Sequence, residues 1–174
     1  HPKLSMCAKW IWLVYLFITV GCGICYLLFG MDWFHAVNYA MTTASTGGVA
    51  IDNSNVFDHV PGLEYTATFF CFVSGVNFTL LYYSISKMKL HNLWKSSEFK
   101  FYAIFTVVCT AIIMAELMTR NGYGVELAFR SALFQVVSFV TTTGYNNDDT
   151  TMWHHVTWLV LWLCMIVGAC GGST

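Results

Sequence analysis

Apolar residues gather along this chain in four stretches, each near or above the length a helix needs to cross a bilayer, with short polar breaks between them. At 1.5 Å of rise per residue, about 20 residues cover roughly 30 Å of hydrocarbon. The first stretch, Ala8 to Phe29, carries one charge, Lys9, at its start. Trp10, Trp12 and Tyr15 lie near one end, where interfacial rings sit, and Gly21 and Gly23 offer a surface for close helix contact. The second runs from Leu63 to Ser86, with Glu64 at its mouth, Gly75 and Asn77 in its middle, and Tyr82 and Tyr83 near the other end. Asn77 should face protein, because lipid offers its amide no partner. The third runs from Phe101 to Met118 with Glu116 near its outer end, and the fourth starts at Val156. This last run is expected to break at Gly168, since Gly168-Ala169-Cys170-Gly171-Gly172-Ser173-Thr174 is poor helix interior.

Between the long stretches lie two shorter amphipathic ones. Asp32 can cap a helix over Trp33 to Ala44, about three turns, too short to span and therefore interfacial or re-entrant. Val125 to Val140 repeats it after the polar turn Thr119 to Gly124. Each runs into residues of little bulk, Ser45-Thr46-Gly47-Gly48 in the first case and Thr141-Thr142-Thr143-Gly144 in the second. Polar connectors follow, Ile51 to Pro61 and Asn146 to His155, with Pro61 suited to a first helical turn. Backbone of this kind is tolerated at membrane depth only when buried in protein or lining a wet cavity. Laying Gly144 on Gly48 gives an offset of 96 residues, with Ala132 on Ala36 and Thr142 on Thr46. The chain therefore reads as a duplicated unit of helix, re-entrant loop, helix, divided into residues 1–90 and 91–174.

Composition agrees: 57% of the 174 residues are hydrophobic and 10% charged, with a mean hydropathy of +0.60. Charge placement supplies a direction. Lys87, Lys89, His91, Lys95 and Lys100 crowd the linker 87–100, which the positive-inside rule makes cytoplasmic, and Lys3 and Lys9 put the N-terminus on the same side. All the acids except Glu98 then fall toward the opposite, outer face, with only Arg120 and Arg130 as bases there, so that face should attract cations. A net charge of -1 points to no nucleic-acid partner. Seven cysteines scattered through apolar segments imply no disulfide framework, and Cys22-Gly23-Ile24-Cys25 lacks the βαβ setting of a redox motif. The chain opens on His1-Pro2 without an initiator Met or a signal peptide, and is expected to be part of something longer.

The duplicated loops carry the chemistry. A dehydrated monovalent cation needs several oxygens in place of its water shell, and inward-facing carbonyls from several loops provide them without full charges. Glycine permits the backbone geometry, threonine adds a hydroxyl, and a short helix ending at the loop aims its partly negative C-terminus at the ion. Two loops make half a ring, so a closed filter needs two further copies, from the same polypeptide or another chain.

Three elements in order carry a family resemblance: Ser-Thr-Gly-Gly and then Thr-Thr-Thr-Gly-Tyr, Gly75-Val76-Asn77-Phe78 with Leu80 between them, and the glycine-rich run from Gly168 to Thr174. Over essentially the whole chain they resemble the Trk/Ktr/HKT superfamily of potassium transporters, specifically the membrane subunit of bacterial Trk systems. The resemblance implies an all-α membrane protein of tandem M1-P-M2 repeats, the second and third of four around a pseudo-fourfold pore. It implies potassium uptake, with Thr46, Gly47, Gly48, Thr142, Thr143 and Gly144 as filter residues and K⁺ held at Gly48 and Gly144 beside Thr46 and Thr142. It implies that Gly168, Gly171, Gly172, Ser173 and Thr174 belong to an intramembrane loop that obstructs the pore below the filter and moves on opening. It further implies a multi-pass protein of the inner (plasma) membrane with filters open to the outside, a homodimer, and a cytosolic nucleotide-binding ring of the RCK type, with no organic cofactor in this chain. One departure is Val49, where the family more often has an aromatic, as at Tyr145.

Other readings carry less. Gly47, Gly48 and Gly144 suit ordinary helix C-caps, but the duplication speaks against coincidence. His154 and His155 near Asp148 and Asp149 lack metal-ligand spacing. Gly168 to Thr174 lacks the lysine and preceding strand of a phosphate loop. Arg130 is read as a structural anchor, to neighbouring carbonyls or to Glu126 one turn before it, and Glu116 as either functional or simply hydrated. The rivals to a transporter are a tetrameric-type cation channel subunit, which would carry one pore unit per chain, and a non-transporting membrane assembly module; neither is an enzyme, and none of the readings involves covalent chemistry.

Overall fold

A computed structural model describes residues 2–51, 57, 60–76, 78–89, 91–146, 153 and 155–171. Asn77, the acids of the two surface connectors, His154 and the run from Gly172 to Thr174 lie outside the described residues. The described chain is helical, without strands: α1 (Pro2–Leu28), α2 (Trp33–Ala44), α3 (Pro61–Ser74), α4 (Phe78–Ser86), α5 (His91–Lys95), α6 (Ser97–Arg120), α7 (Val125–Val140) and α8 (His155–Gly171). Among the described residues, α1 and α6 are long and apolar enough to cross a membrane. The two short helices have the bounds their patterns predict. Asp32 caps α2 by accepting the His35 amide at 3.4 Å, and its 2.5 Å contact with the His35 ring holds the carboxylate at that end. Pro61 occupies the first turn of α3, where its missing N–H costs nothing.

Each short helix enters and leaves on one side. Beyond the first loop, Phe57 packs on Tyr26 near the end of α1 and on Tyr39 of α2, with ring centroids 6.1 and 5.7 Å apart. The start of α3 then lies against Phe29, so closely that a Cβ on Gly62 would overlap that ring. In the second half, Trp153 is buried with Leu117 and Ala128, at the turn between α6 and α7. The start of α3 meets the start of α7, so both loops dip from the same face.

Small residues let the elements close up. Gly23 of α1 lies over Ala40 of α2, where an added Cβ would stand 3.5 Å away, and Gly21 lies against Phe70. Within the first half α2 packs on α1 and α3; within the second, α7 packs on α6 and α8. The halves join mainly through α3 and α7, around a core of Leu63, Ala67 and Cys71 against Phe134 and Val137. Hydroxyls inside the helices are spent on backbone carbonyls one turn earlier, Thr68 on Glu64 (2.7 Å) and Thr110 on Thr106 (2.7 Å) among them. Of the cysteines described, all are free, and Cys22, Cys71, Cys109 and Cys164 are buried.

Two boundaries differ from the sequence reading. The second apolar stretch is not one helix: α3 stops at Ser74, and α4 begins at Phe78. Tyr102 of α6 stacks on Phe72 (4.6 Å) and donates its hydroxyl to the Phe72 carbonyl (3.0 Å), the acceptor that Val76 would use in a continuous helix. The Val76 amide turns instead to Val73 (3.2 Å). Only glycine fits at the break, since a Cβ on Gly75 would come within 2.6 Å of both Thr141 and Tyr102. The fourth stretch, by contrast, does not break at Gly168: α8 runs on to Gly171. Gly168 lies directly against Val140 of α7, and the helix continues through it despite a propensity cost of about 1 kcal/mol for a glycine.

One ion pair ties the halves at the ends of α3 and α7 remote from the loops. Arg130 of α7 meets Glu64 of α3 at 2.5 Å, with both side chains buried, and also meets Glu126 one turn back at 2.6 Å. The sequence points to Glu126; Glu64, from the other half, is the partner it misses. Arg130→Met removes the cation facing a buried carboxylate and should lower stability by about 3–5 kcal/mol. The double change Glu64→Leu with Arg130→Met should recover most of that loss, as read by thermal unfolding of the complete protein in detergent.

Candidate functional site

At the C-terminal ends of α2 and α7 the chain makes the same turn twice. Ser45 and Thr141 cap the helices in right-handed conformation, with φ of -82° and -81°. The next residue in each, Thr46 or Thr142, is left-handed, with φ of 53° and 60°. Each of these threonines donates its hydroxyl to the preceding carbonyl, at 2.7 and 2.6 Å. Two residues later Gly48 and Gly144 again have positive φ, 64° and 81°. Backbone amides close both turns in register: Ser45 to Met41 and Thr46 to Thr43, Thr141 to Val137 and Thr142 to Phe139. In the first loop Gly47 adds a bond to the Thr42 carbonyl (2.9 Å), completing the Schellman arrangement.

These turns bear on what the glycines do. An ordinary cap puts glycine in the left-handed position. Here threonine takes that position in both copies, at about 1–2 kcal/mol of conformational cost each, and glycine is kept for a second left-handed residue further on. A left-handed threonine repeated at matching places in two loops sets both turns apart from an ordinary helix end.

The loops meet. The Thr143 carbonyl is aimed at the Cα of Gly48, in the place a Cβ would occupy, and the Gly144 carbonyl carbon lies 3.5 Å from the same point. Residues 96 apart in sequence are thus main-chain neighbours. Behind the second loop Tyr145 is buried, its ring against Phe57 at 5.2 Å and its carbonyl accepting the Ser138 hydroxyl at 2.8 Å. Val49, at the matching place in the first loop, is exposed. On the deep side of the loops lies a cavity of about 680 Å³, bounded by Ser45, Thr46, Thr141 and Thr142, by Gly75 and Val76 at the break after α3, and by Gly168 of α8. A Cβ on Gly168 would overlap the Val140 carbonyl and stand 3.0 Å from the Thr142 methyl, so α8 passes directly against the root of the second loop.

The structure therefore brings together Thr46, Gly47, Gly48, Thr142, Thr143 and Gly144, and sets Gly168 beneath them. Gly171 ends α8, and Gly172, Ser173 and Thr174 lie outside the described residues. Among the described residues no group of histidine, cysteine and acidic side chains is arranged to hold a metal, and Glu116 pairs with Arg120 at 2.9 Å. Tyr145 escaped the sequence reading as a cross-half contact; its only signal was an aromatic immediately after a glycine that the other loop follows with valine.

This geometry has counterparts. The family model described as TrkH, cation transport protein, matches residues 1–174. The chain belongs to that family. It is 30% identical over 181 residues to the Trk system potassium uptake protein TrkH of Escherichia coli K12, with 100% of this chain and 36% of that protein covered. It is 28% identical to the protein of the same name from Halomonas elongata, over 99% of this chain and 36% of that one. The crystal structure of the potassium transporter TrkH from Vibrio parahaemolyticus superposes with a TM-score of 0.88 at 26% identity, covering 94% of this chain and 36% of that one. The chain spans little more than a third of the length of these TrkH relatives, and shares the helical membrane fold of M1-P-M2 repeats.

The three loop glycines should respond differently to alanine. Gly48→Ala meets both a left-handed φ and an immovable carbonyl, and should abolish recovery of folded protein. Gly144→Ala has open space around it and should lose only the conformational cost, about 1–2 kcal/mol. Gly47→Ala, with the Ser45 hydroxyl 3.1 Å from the new carbon and no left-handed φ, should be the mildest in thermal unfolding of the complete protein.

Proposed function

We propose that this chain forms half of a potassium-conducting pore, the second and third of four M1-P-M2 units, and that K⁺ passes down its gradient between the two loops and their counterparts in the rest of the polypeptide. The observation that carries the reading is the repeated backbone turn, left-handed threonine and then left-handed glycine, brought into main-chain contact at the ends of two short helices. The names of the relatives, Trk system potassium uptake proteins, indicate the ion.

In this mechanism carbonyls of the two loops around Thr46 to Gly48 and Thr142 to Gly144, other than the Thr143 oxygen packed on Gly48, replace the hydration shell, and the C-terminal ends of α2 and α7 add partial negative charge beside them. The ion then enters the cavity beneath the loops, where water can take it up again. The glycine-rich segment from Gly168 to Thr174 acts as the gate. Its first glycine already presses on the Val140 carbonyl, so rotation or unwinding of α8 there opens or closes the exit without disturbing the rest of the helix. The filters face outward, the linker 87–100 lies in the cytoplasm, and the intact protein works as a homodimer on an RCK-type nucleotide-binding ring.

The test is the complete gene, expressed in a bacterium lacking its potassium uptake systems and grown at low potassium. The expected result is rescue of growth. Gly144→Ser should reduce uptake or K⁺ preference at least tenfold while leaving membrane abundance unchanged. Uptake unaffected by Gly144→Ser would favour a role in helix assembly over one in ion coordination. Gly168→Val, which drives a branched side chain into the Val140 carbonyl, should lower the maximal rate and leave the ion preference as it is.

A further inference from the structure

The two loops are not braced alike, and the difference is concentrated in one side chain. Tyr145 reaches from the loop of the second half across to the pore helix of the first. Its hydroxyl contacts the Thr42 hydroxyl, lies 3.1 Å from the Thr43 hydroxyl, and donates to the Tyr39 carbonyl at 3.2 Å. Thr43 in turn meets the Tyr26 hydroxyl of α1 at 2.9 Å and donates to the Tyr39 carbonyl at 2.6 Å. One buried polar chain thus runs from α1 through α2 to the residue that follows Gly144. The phenol is 4% exposed, and Phe57 and Tyr39 flank its ring with centroids 5.2 and 6.0 Å away, so it has no other site to turn to. On the loop side the backbone of the same residue is held by Ser138 at 2.8 Å. The matching residue of the first loop, Val49, has no hydroxyl with which to make such a link.

From this asymmetry we propose, resting on the pore reading above, that Tyr145 is a positioning residue for ion selectivity: its hydroxyl sets the distance between the second loop and the first pore helix. Packing alone keeps a loop near its neighbour, but leaves its width free to relax by a fraction of an ångström. A bond donated to the Tyr39 carbonyl and one shared with the Thr42 hydroxyl, both on α2, do not. The corner between the two halves is therefore a stiff corner of the filter. A filter that must fit K⁺ and exclude the smaller Na⁺ relies on such a stiff reference, because a loop free to close inward would coordinate the smaller ion as well.

Tyr145→Phe is the direct test, since it keeps the ring and removes only the bonds. It is made in the complete protein alongside Thr42→Val and the double variant, and uptake of K⁺, Rb⁺ and Na⁺ is measured together with membrane abundance and thermal unfolding in detergent. Tyr145→Phe should fold, keep its maximal K⁺ rate within about twofold, and lose K⁺ over Na⁺ preference on the order of three- to tenfold, the size of one or two lost hydrogen bonds. The double variant should be no worse than the more severe single one, because both remove the same link. An unchanged ion preference, an equal fall in all three uptake rates, or strictly additive losses would overturn the proposal while leaving the pore reading in place. Absence of K⁺ uptake by the unaltered complete protein would overturn the pore reading itself, and this proposal with it.

Discussion

Main-chain contact between the two loops is the constraint around which this structure is organised. Neither loop is regular, and neither can expose its amides and carbonyls to lipid, where no solvent would take their place. Each therefore has to be covered by protein or line a wet cavity, and at one point the two loops cover each other: the Thr143 carbonyl fills the space beside Gly48. Replacing the hydrogen of Gly48 with any side chain would separate the loops, and separation would strand polar backbone on both sides.

The rest of the fold keeps that contact in register. At the end remote from the loops, Arg130 and Glu64 pin the start of α7 to the start of α3. A buried pair of this kind adds little net stability against an apolar alternative, but it penalises any sliding that would leave a charge without its counterpart. At the deep end, Gly75 lets Tyr102 and Thr141 press into the turn between α3 and α4, so the end of α7 is seated between two helices of the other half and its own α6. Between these fixed points α7 has little freedom to shift along its axis. The turn that follows it inherits that precision, and the left-handed threonines show that the turn is held in a conformation the chain would not choose alone.

The two halves share a plan and differ in how they use it. Both have helix, short helix, turn and returning helix, with the same dihedral sequence at the turn. In the first half the returning helix is broken at Gly75 and its loop ends in an exposed Val49; in the second it runs unbroken past Gly168, and the loop ends in a buried Tyr145. Duplication followed by divergence would leave such a pattern.

Much of this was written in the local pattern. The bounds of α2 and α7 follow from Asp32 before an amphipathic run and from polar turns on either side of Val125 to Val140, because caps and periodicity act over one or two turns. The repeat, the candidate loop residues and the membrane fold were legible for the same reason: composition, spacing and small-residue runs are properties of the chain itself. Tertiary structure alone decided where the second stretch breaks, since a hydroxyl on α6 competes for the Phe72 carbonyl, and that the fourth does not break at Gly168, which lies against α7. It alone paired Arg130 with Glu64 across the halves and sent Tyr145 to α2. Those contacts join residues 66 and 102 positions apart, where no periodicity reaches and only the folded path of the chain determines which groups meet.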